Sequence, residues 1–182
     1  MNTPALRPDE LVVLLDHEGR PIGSALKSTV HTESTPLHLA FSCHLFDDEG
    51  RMLVTRRALG KMAWPGVWTN SCCGHPAPGE RLESAVARRL MQELGTTADD
   101  VRLVLPDFAY RAVDASGIVE HERCPVFVGR IAGPLEPDPL EVADWRWVEP
   151  DRLVAGIRAT PWAFSPWLVL QAEQLPVLAG AA

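Results

Sequence analysis

The sequence predicts an α+β sandwich built on a mixed β-sheet. Predicted strands outnumber predicted helices, and the two kinds of element interleave along the chain. Apolar residues make up 46% and charged residues 23% of the 182 residues, which is typical of a globular protein. The length suits one domain, which we expect to cover 1–182 with flexible ends at 1–9 and 177–182.

The N-terminal half of the chain predicts strands separated by turns. The segments 11–16 and 22–27 predict a hairpin around a Gly-Arg-Pro turn. Residues 37–46 form an apolar run that predicts one buried strand, and the sequence DDEG then turns the chain into a second strand over 51–57. Glycine and proline interrupt 58–68 too often for regular structure.

The C-terminal half predicts both kinds of element. A helix is expected over 80–95, because Glu80 and Glu83 lie in its first turn, apolar residues recur at helical spacing and Gly95 closes it. The turn Asp-Ala-Ser-Gly joins two predicted strands, 101–112 and 118–130. The remaining predicted elements are a surface loop over 133–139, a strand over 145–148 and helices over 149–157 and 165–175, each helix starting near a proline.

Charge and composition exclude several classes of partner. The net charge is −7, so sequence-independent binding to nucleic acid or to an anionic membrane is not expected. A bound anion therefore requires a local basic pocket or a metal. We find neither a signal peptide nor an apolar stretch of membrane-spanning length, and we expect a cytoplasmic protein. The four cysteines are too few for a disulfide scaffold and are expected to be thiols: Cys43, Cys72, Cys73 and Cys124.

A loop–helix segment over 74–95 carries a recognisable spacing. Its fixed positions are Gly74, Glu80, Arg88, Glu93 and Gly95. The segment resembles the Nudix box, which places carboxylates at a diphosphate-bound metal.

Two positions depart from that box, because Arg89 and Gln92 stand where glutamates are usual. The remaining carboxylate, Glu93, can hold Mg²⁺ on a diphosphate but poorly supports attack by water. Arg89 and Glu93 are four residues apart and share a helix face, so Arg89 is expected to grip phosphate while Glu93 takes the metal. The alternative is a surface helix with an ordinary salt bridge.

Further motifs stand in order along the chain: His31-x6-His38, KMAWPGVWTNSCCGHP (61–76), YRAVDASGIVEHE (110–122) and ATPWAFSPW (159–167). From about Lys27 to Trp167 the chain resembles type I isopentenyl-diphosphate isomerase. The resemblance implies a Nudix-like α/β/α sandwich and interconversion of isopentenyl and dimethylallyl diphosphates, as a monomer or homodimer acting on a small isoprenoid diphosphate. It also implies one transition metal in a His/Glu site and one Mg²⁺ on the diphosphate.

This reaction moves a carbon–carbon double bond, so one carbon gains a proton and another loses one. Protonating an unactivated alkene creates tertiary carbocation character. The site must therefore supply an acid, a base, stabilisation of a cation and exclusion of water.

The resemblance implies that Cys73 is catalytic and that its backbone carbonyl holds the Mg²⁺ together with Glu93. A thiol is a plausible proton donor and a thiolate a plausible acceptor when the site tunes its pKa. The alternative is a buried structural cysteine, which suits the neighbouring Cys72 better.

Glu120 and Glu122 are two apart on a predicted strand and share one face with Ile118 and Cys124, which suggests the inner face. Two carboxylates there repel each other, and protonation or a metal must relieve the repulsion. The resemblance assigns both to the metal and gives Glu122 the acid/base role. The alternative is an exposed edge strand with its acids facing outward.

The resemblance completes the metal site with His31, His38 and His75. Three histidines and two glutamates give five nitrogen and oxygen ligands, which suit Mn²⁺ or Fe²⁺ better than Zn²⁺, although zinc stays an alternative. No role is expected for His17, His44 and His121.

The resemblance assigns the remaining site residues. Tyr110, which is the only tyrosine, is expected to relay protons, and Trp167 to form an aromatic wall against the substrate. A tryptophan face attracts a cation by roughly 0.5–2 kcal/mol. The residues that correspond to diphosphate ligands are Lys27, Arg57, Lys61 and Arg89.

Two rival functions use parts of the same pattern. A Nudix diphosphohydrolase is disfavoured because carboxylates are missing at Arg89 and Gln92 and because Cys73 has no use there. A non-catalytic module that binds a diphosphate or a metal keeps the histidines but also has no need of Cys73.

Overall fold

The computed structural model describes residues 10–175. The two ends for which we expect flexibility, 1–9 and 177–182, lie outside the described residues. Within the described part, the strands are β1 (Leu11–Leu15), β2 (Pro21–Leu26), β3 (His38–Leu39), β4 (Phe41–Phe46), β5 (Met52–Arg57), β6 (Trp68–Thr69), β7 (Cys72–Gly74), β8 (Ala98–Leu105), β9 (Ala109–Val113), β10 (Val119–Arg123), β11 (Val126–Ile131) and β12 (Val142–Val148).

The strands form two sheets rather than one. The smaller sheet has the order β2-β1-β3-β10-β9, and the larger has the order β12-β5-β4-β11-β8, with β6 beside β5 and β7 beside β4. Each sheet is mixed, because β3 pairs with β10 and β4 pairs with β11 in parallel, whereas the other pairs are antiparallel. The mixed character predicted from sequence is therefore confirmed, in two sheets.

The helices are α1 (Lys27–Val30), α2 (Leu82–Leu94), α3 (Pro150–Ala159), a short 3-10 turn (Pro161–Ala163) and α4 (Pro166–Ala172). Helix α2 packs Ala85, Val86 and Leu90 against Phe41 and Leu45 on one face of the larger sheet. Helices α3 and α4 enter a second core with residues of both sheets. The larger sheet is thus covered by helices on both faces, as an α/β/α sandwich requires.

Three hairpin turns share the sequence Asp-x-x-Gly. In each, the aspartate carboxylate accepts backbone N–H groups two and four residues later, and the glycine adopts a positive φ of 79–91° that suits a residue without Cβ. They begin at Asp16, Asp47 and Asp114. The first turn therefore lies at residues 16–19 and not around Gly-Arg-Pro, because Pro21 already belongs to β2.

Three predicted strands are each divided in two. The run 37–46 breaks at Ala40, whose N–H donates to the carbonyl of Arg123, so that β3 joins the smaller sheet and β4 the larger. The predicted strands 101–112 and 118–130 break near Pro106 and Pro125, which lack the N–H that a strand ladder needs. Among the described residues, no helix is long and apolar enough to cross a membrane.

Candidate active site

One cavity of about 390 Å³ draws its walls from both sheets and from α1, α2 and α4. Every side chain predicted for the site lines this cavity except His38, which is fully buried. The strand register explains the convergence, because Glu122 on β10 pairs with His38 on β3 on one side and with Tyr110 on β9 on the other. Residues distant in sequence therefore form one row across three strands.

The five predicted metal ligands lie close to one another. Ligand atoms of His31, His38, His75 and Glu122 are all within 4.8 Å of one another. Nε2 of His38 is 3.2 Å from Nε2 of His75, which in turn is 3.1 Å from Oε1 of Glu122. Glu120 joins the group through Oε2, at 3.1 Å from Nε2 of His31.

The donor atoms of this cluster fit a divalent cation. Nδ1 of His38 lies 2.9 Å from the Pro36 carbonyl and donates its hydrogen there, which turns the Nε2 lone pair towards the cluster. Nε2 of His31 and Oε2 of Glu120 face each other without hydrogen-bond geometry, and neither has another hydrogen-bond partner among residues 10–175. Buried lone pairs that converge in this way are the arrangement that a metal satisfies.

The pKa values of the two glutamates are shifted in opposite directions. Burial raises the pKa of Glu120, and the charge on Glu122 raises it further. Burial also works to raise the pKa of Glu122, but the neighbouring imidazoles of His38 and His75 outweigh it and hold the pKa well below the ordinary value. Burial lowers the pKa of His75 to about 3. Glu122 is accordingly the ionised carboxylate of the pair.

Tyr110 connects this cluster to an aromatic wall. Its hydroxyl donates to Oε2 of Glu122 over 2.9 Å, and burial beside that carboxylate raises the pKa of Tyr110 well above its usual value. The tyrosine ring lies 5.8 Å from the ring of Trp167, which also contacts Trp64 edge-on at 5.8 Å. A protonated phenol and an indole face therefore adjoin the ionised glutamate.

Cys73 lies on β7 and faces two polar groups. Its Sγ is 3.1 Å from Oδ1 of Asn70 and 3.4 Å from the hydroxyl of Ser42, its partner in the strand register. Oδ1 of Asn70 also accepts from Nε1 of Trp167 at 2.9 Å. Burial raises the pKa of the Cys73 thiol to about 12, against the lowering effect of the Ser42 hydroxyl. The sulfur therefore carries its proton.

Both lysines that line the cavity are paired with acids. Nζ of Lys27 lies 2.6 Å from a carboxylate oxygen of Glu10, and Lys61 forms a salt bridge with Glu141. Burial lowers the pKa of Lys27, and the guanidinium of Arg89 lowers it further. Alternating charges of this kind suit a ligand that brings both an anion and a cation.

Arg89 and Glu93 share the inner face of α2, as the spacing predicts, but they are buried rather than on the surface. Nε of Arg89 donates to Oε1 of Glu93 over 2.9 Å, and the arginine is 2% exposed. Burial works against the charged guanidinium, yet Glu93 and Glu141 outweigh it and raise the pKa of Arg89. The guanidinium of Arg89 is therefore permanently charged.

Arg57 holds a loop as well as lining the cavity. Its guanidinium donates to the carbonyl of Ala63 over 2.8 Å and to that of Trp64 over 3.1 Å. The same group lies 5.2 Å from the centre of the Trp167 ring. The irregular segment 58–68 is thereby fixed against the aromatic wall.

Comparisons with known proteins agree with this geometry. The model of the NUDIX domain family matches residues 36–168. A protein from Leifsonia xyli subsp. xyli is 64% identical over 175 residues, which cover 95% of each chain. A protein from Agromyces mediolanus is 65% identical over 173 residues, which cover 95% of this chain and 84% of the relative. Both relatives are named isopentenyl-diphosphate Delta-isomerase.

The chain belongs to the isopentenyl-diphosphate Delta-isomerase family. Its fold also resembles that of the DR0079 protein of Deinococcus radiodurans, with a TM-score of 0.72, 19% sequence identity, and coverage of 92% of this chain and 99% of the other. That likeness concerns the fold alone. The Nudix-like sandwich predicted from sequence is confirmed.

In this member of the isomerase family, two residues of the Nudix box hold the loop before α2. Arg88 binds Glu80 through Nε and Nη2, both at 2.8 Å, and Nη2 also donates to the carbonyl of His75 over 3.1 Å. The box arginine therefore fixes the backbone of a predicted metal ligand.

Sequence reasoning missed several polar residues of this isomerase-family site. Asn70 and Ser42 contact Cys73, and Glu10 and Glu141 pair with the lysines. Gln171 on α4 binds Ser42 from behind. The alternation of Ser42 and His44 on an otherwise apolar strand is a signal that could have revealed a buried polar face.

Proposed function

We propose that the chain is an isopentenyl-diphosphate Delta-isomerase that interconverts isopentenyl and dimethylallyl diphosphates by protonation and deprotonation, in isoprenoid biosynthesis. The observation that carries the proposal is a single cavity lined by a protonated thiol, an ionised Glu122 paired with Tyr110, and the aromatic ring of Trp167. The names of the relatives that are 64% and 65% identical support the same activity.

Cys73 supplies the acid of this proposal. Its hydrogen lies on sulfur, because Oδ1 of Asn70 accepts and cannot donate. A thiol at the cavity wall can give a proton to the terminal methylene carbon of isopentenyl diphosphate and later recover one. Its raised pKa disfavours loss of the proton to water, so that the proton is retained until substrate binds.

Glu122 and Tyr110 form the other half of the proton chemistry. The carboxylate is ionised and can accept the proton that leaves the substrate. The hydroxyl of Tyr110, at 2.9 Å from the carboxylate, can pass a proton to it or take one from it. In the reverse reaction the same groups act in the opposite sense.

Trp167 is suited to the cation that forms between the two transfers. The positive guanidinium of Arg57 already lies 5.2 Å from its ring centre, so the electron-rich ring tolerates a cation in this pocket. A carbocation near the indole is stabilised by roughly 0.5–2 kcal/mol. The surrounding aromatic rings also limit the access of water.

Two divalent ions complete the proposal. His31, His38, His75, Glu120 and Glu122 would hold a transition metal, Mn²⁺ by ligand count with Zn²⁺ or Fe²⁺ as alternatives. Glu93 and the backbone carbonyl of Cys73 would hold Mg²⁺ on the diphosphate. When bound, the first ion keeps the two glutamates together and the second neutralises diphosphate charge.

We infer that Lys27, Arg57, Lys61 and Arg89 bind the diphosphate, supported by their position on the cavity wall. Lys27 and Lys61 would exchange their carboxylate partners for phosphate oxygens as the Mg²⁺–diphosphate complex enters. Arg89 would contact the diphosphate while its guanidinium stays hydrogen-bonded to Glu93.

The whole chain is proposed to work as one domain. Residues that line the same cavity are as far apart as Lys27 and Trp167 and include members of both sheets. A cytoplasmic location and a monomeric or homodimeric state stay predictions.

Replacement of Glu93 by glutamine separates the isomerase from the rival hydrolase. The isomerase hypothesis predicts an allylic product from the wild type and, for Glu93→Gln, weakened Mg²⁺ dependence and loss of turnover of about 100-fold from misplaced substrate. Glu83→Gln, at an exposed position on the same helix, is the matched control. Product analysis across a Mg²⁺ titration decides between the isomerase and the hydrolase. Phosphate release by the wild type that vanishes in Glu93→Gln, without allylic product, contradicts the isomerase.

A further inference from the structure

Strand β4 carries two buried polar side chains that do not line the cavity. Ser42 and His44 are both fully buried and, two residues apart, point to the same face of the strand. The intervening Cys43 belongs to the apolar core beneath α2. A polar pair on an otherwise apolar strand needs hydrogen-bond partners.

The partners form a continuous chain that ends at the candidate catalytic thiol. Nε2 of His44 is 2.8 Å from Oε1 of Gln171, and Nε2 of Gln171 is 2.9 Å from the Ser42 hydroxyl. That hydroxyl is 3.4 Å from Sγ of Cys73, which is 3.1 Å from Oδ1 of Asn70. Gln171 lies on α4, one turn beyond Trp167.

The hydrogens in this series of hydrogen bonds can be assigned from its Asn70 end. Nδ2 of Asn70 donates to the carbonyls of Cys43 and Cys72 at 3.0 and 2.8 Å, so Oδ1 is the atom that faces Cys73. The thiol therefore donates to Asn70. Since the Cys73 thiol gives its only hydrogen to Asn70, the Ser42 hydroxyl is the donor in the contact between Ser42 and Cys73.

The His44 end of this series of hydrogen bonds gives the same direction of donation. Ser42 can donate to sulfur only when its oxygen accepts from Nε2 of Gln171, which leaves Oε1 of Gln171 to accept from His44. In the reversed arrangement the hydrogen of His44 would sit on Nδ1, which has no hydrogen-bond partner among the described residues. A buried unpaired N–H is rarer and costlier than an unpaired acceptor.

We propose that Gln171 is a positioning residue for Cys73. Held by His44, it orients the Ser42 hydroxyl towards Sγ and so fixes the thiol between Ser42 and Asn70 at the cavity wall. This role rests on the proposed isomerase function. Cys124 is the competing acceptor, because its Sγ lies 3.5 Å from the same hydroxyl.

A double-mutant cycle in steady-state kinetics tests the proposal. Gln171→Met removes the donor at nearly constant volume, and Ser42→Ala removes the hydroxyl. We expect each to lower kcat by about 10- to 100-fold, with KM changed less than about twofold, because misplacement of the acid affects the chemical step. The double variant should match Ser42→Ala alone, since Gln171 acts through Ser42.

Two controls separate positioning from packing. Leu168→Met makes a similar change at a fully buried site on the same helix, and Cys124→Ala removes the competing sulfur. Both should keep kcat within about threefold of wild type. Additive effects of Gln171→Met and Ser42→Ala, or equal losses in Gln171→Met and Leu168→Met, would overturn the proposal.

Crystal structures of the same variants give a readout that does not depend on turnover. We expect one Cys73 conformer in the wild type and Leu168→Met, and a displaced or doubled conformer in Gln171→Met. An unmoved sulfur in Gln171→Met overturns the positioning role. If the wild type yields no allylic product, a moved sulfur in Gln171→Met still supports the positioning role, and only the isomerase function is contradicted.

Discussion

Cys73 and Cys72 are adjacent in the chain but lie in different surroundings. Sγ of Cys73 contacts Oδ1 of Asn70 and the Ser42 hydroxyl, whereas Cys72 belongs to the apolar core beneath α2. The alternation of side chains along β7 accounts for the difference, since neighbouring residues of a strand point to opposite faces. Two apparently equivalent thiols therefore provide an internal control for the catalytic assignment.

We predict that Cys73→Ala lowers kcat by roughly 10²–10⁴-fold, because a positioned acid contributes about that much. Substrate should still bind in the presence of Mg²⁺, since its diphosphate contacts lie elsewhere. Steady-state kinetics and calorimetric titration measure the two quantities. Cys72→Ala serves as the control and should retain most activity. Near-normal turnover in Cys73→Ala means that the acid has been assigned wrongly.

His44 predicts a specific dependence of stability on pH. Burial lowers its pKa from 6.5 to about 4 in the folded chain. Between these values the unfolded chain binds the additional proton, so stability is fully present above pH 6.5 and falls as the pH drops towards 4. From pH 7 to pH 5 this one group should cost ~2 kcal/mol of the free energy of unfolding.

Urea unfolding of His44→Gln at pH 7 and pH 5 measures that contribution. The variant should lose less stability on acidification than the wild type, by about the amount attributed to the histidine. Replacing the exposed His17 by glutamine is the control and should leave the pH dependence as in the wild type. An unchanged dependence in His44→Gln would contradict the assignment of a buried neutral ring.

Some residues of the site could be predicted from sequence and others could not. The spacing of Glu120 and Glu122 correctly gave a shared inner face, and the spacing of Arg89 and Glu93 a shared helix face. The hydrogen bond between His44 and Gln171 was missed, because a lone polar residue in an apolar run does not reveal its partner. Gln171 lies 127 positions away in the chain.

At the scale of elements, two of the three Asp-x-x-Gly turns and the glycine end of α2 were predicted, whereas the first turn and several strand ends were not. Local hydrogen bonds and positive φ values define an Asp-x-x-Gly turn or a glycine cap, and these are encoded in a few adjacent residues. The break at Ala40 depends instead on Arg123, far along the chain. A continuous apolar run cannot show where a strand leaves one sheet for another.

Gly95 ends α2 in a left-handed conformation with φ of 60°. A Cβ there would lie 2.8 Å from the carbonyl oxygen of Glu136. We predict that Gly95→Ala lowers the free energy of unfolding by more than the roughly 1–2 kcal/mol that the left-handed conformation alone costs. Urea denaturation is the measurement.

Gly50→Ala is the matched control for this prediction, because its φ is 79° and a Cβ there would meet nothing within 4 Å. It should show the conformational cost alone. Equal losses in both variants would mean that the contact with Glu136 does not constrain the end of α2.

At the scale of the whole molecule, the candidate metal cluster joins segments that are distant in the chain. His31 follows α1, His38 lies on β3, His75 follows β7, and Glu122 lies on β10 of the smaller sheet. A bound ion would therefore connect both sheets, since β7 belongs to the larger one. Metal binding and global stability should be coupled.

We predict about one transition-metal ion per purified chain and a melting temperature that falls by ~5–10 °C after chelation, since a ligand at 100 times its Kd contributes about 2.7 kcal/mol. Metal analysis and calorimetry measure both. His38→Gln should bind less metal and respond little to the chelator, whereas His17→Gln should behave as the wild type. A stoichiometric ion that survives loss of both His31 and His38 would rule out this site.

The proton transfers are the central claim, and one measurement tests them most directly. Isopentenyl diphosphate is incubated with the protein, Mg²⁺ and Mn²⁺ in D₂O, and the products are followed by NMR. Protonation at carbon predicts dimethylallyl diphosphate that carries solvent deuterium in a methyl group, with the diphosphate intact. Release of phosphate, or an allylic product without deuterium under conditions where Cys73 exchanges with solvent, would contradict it.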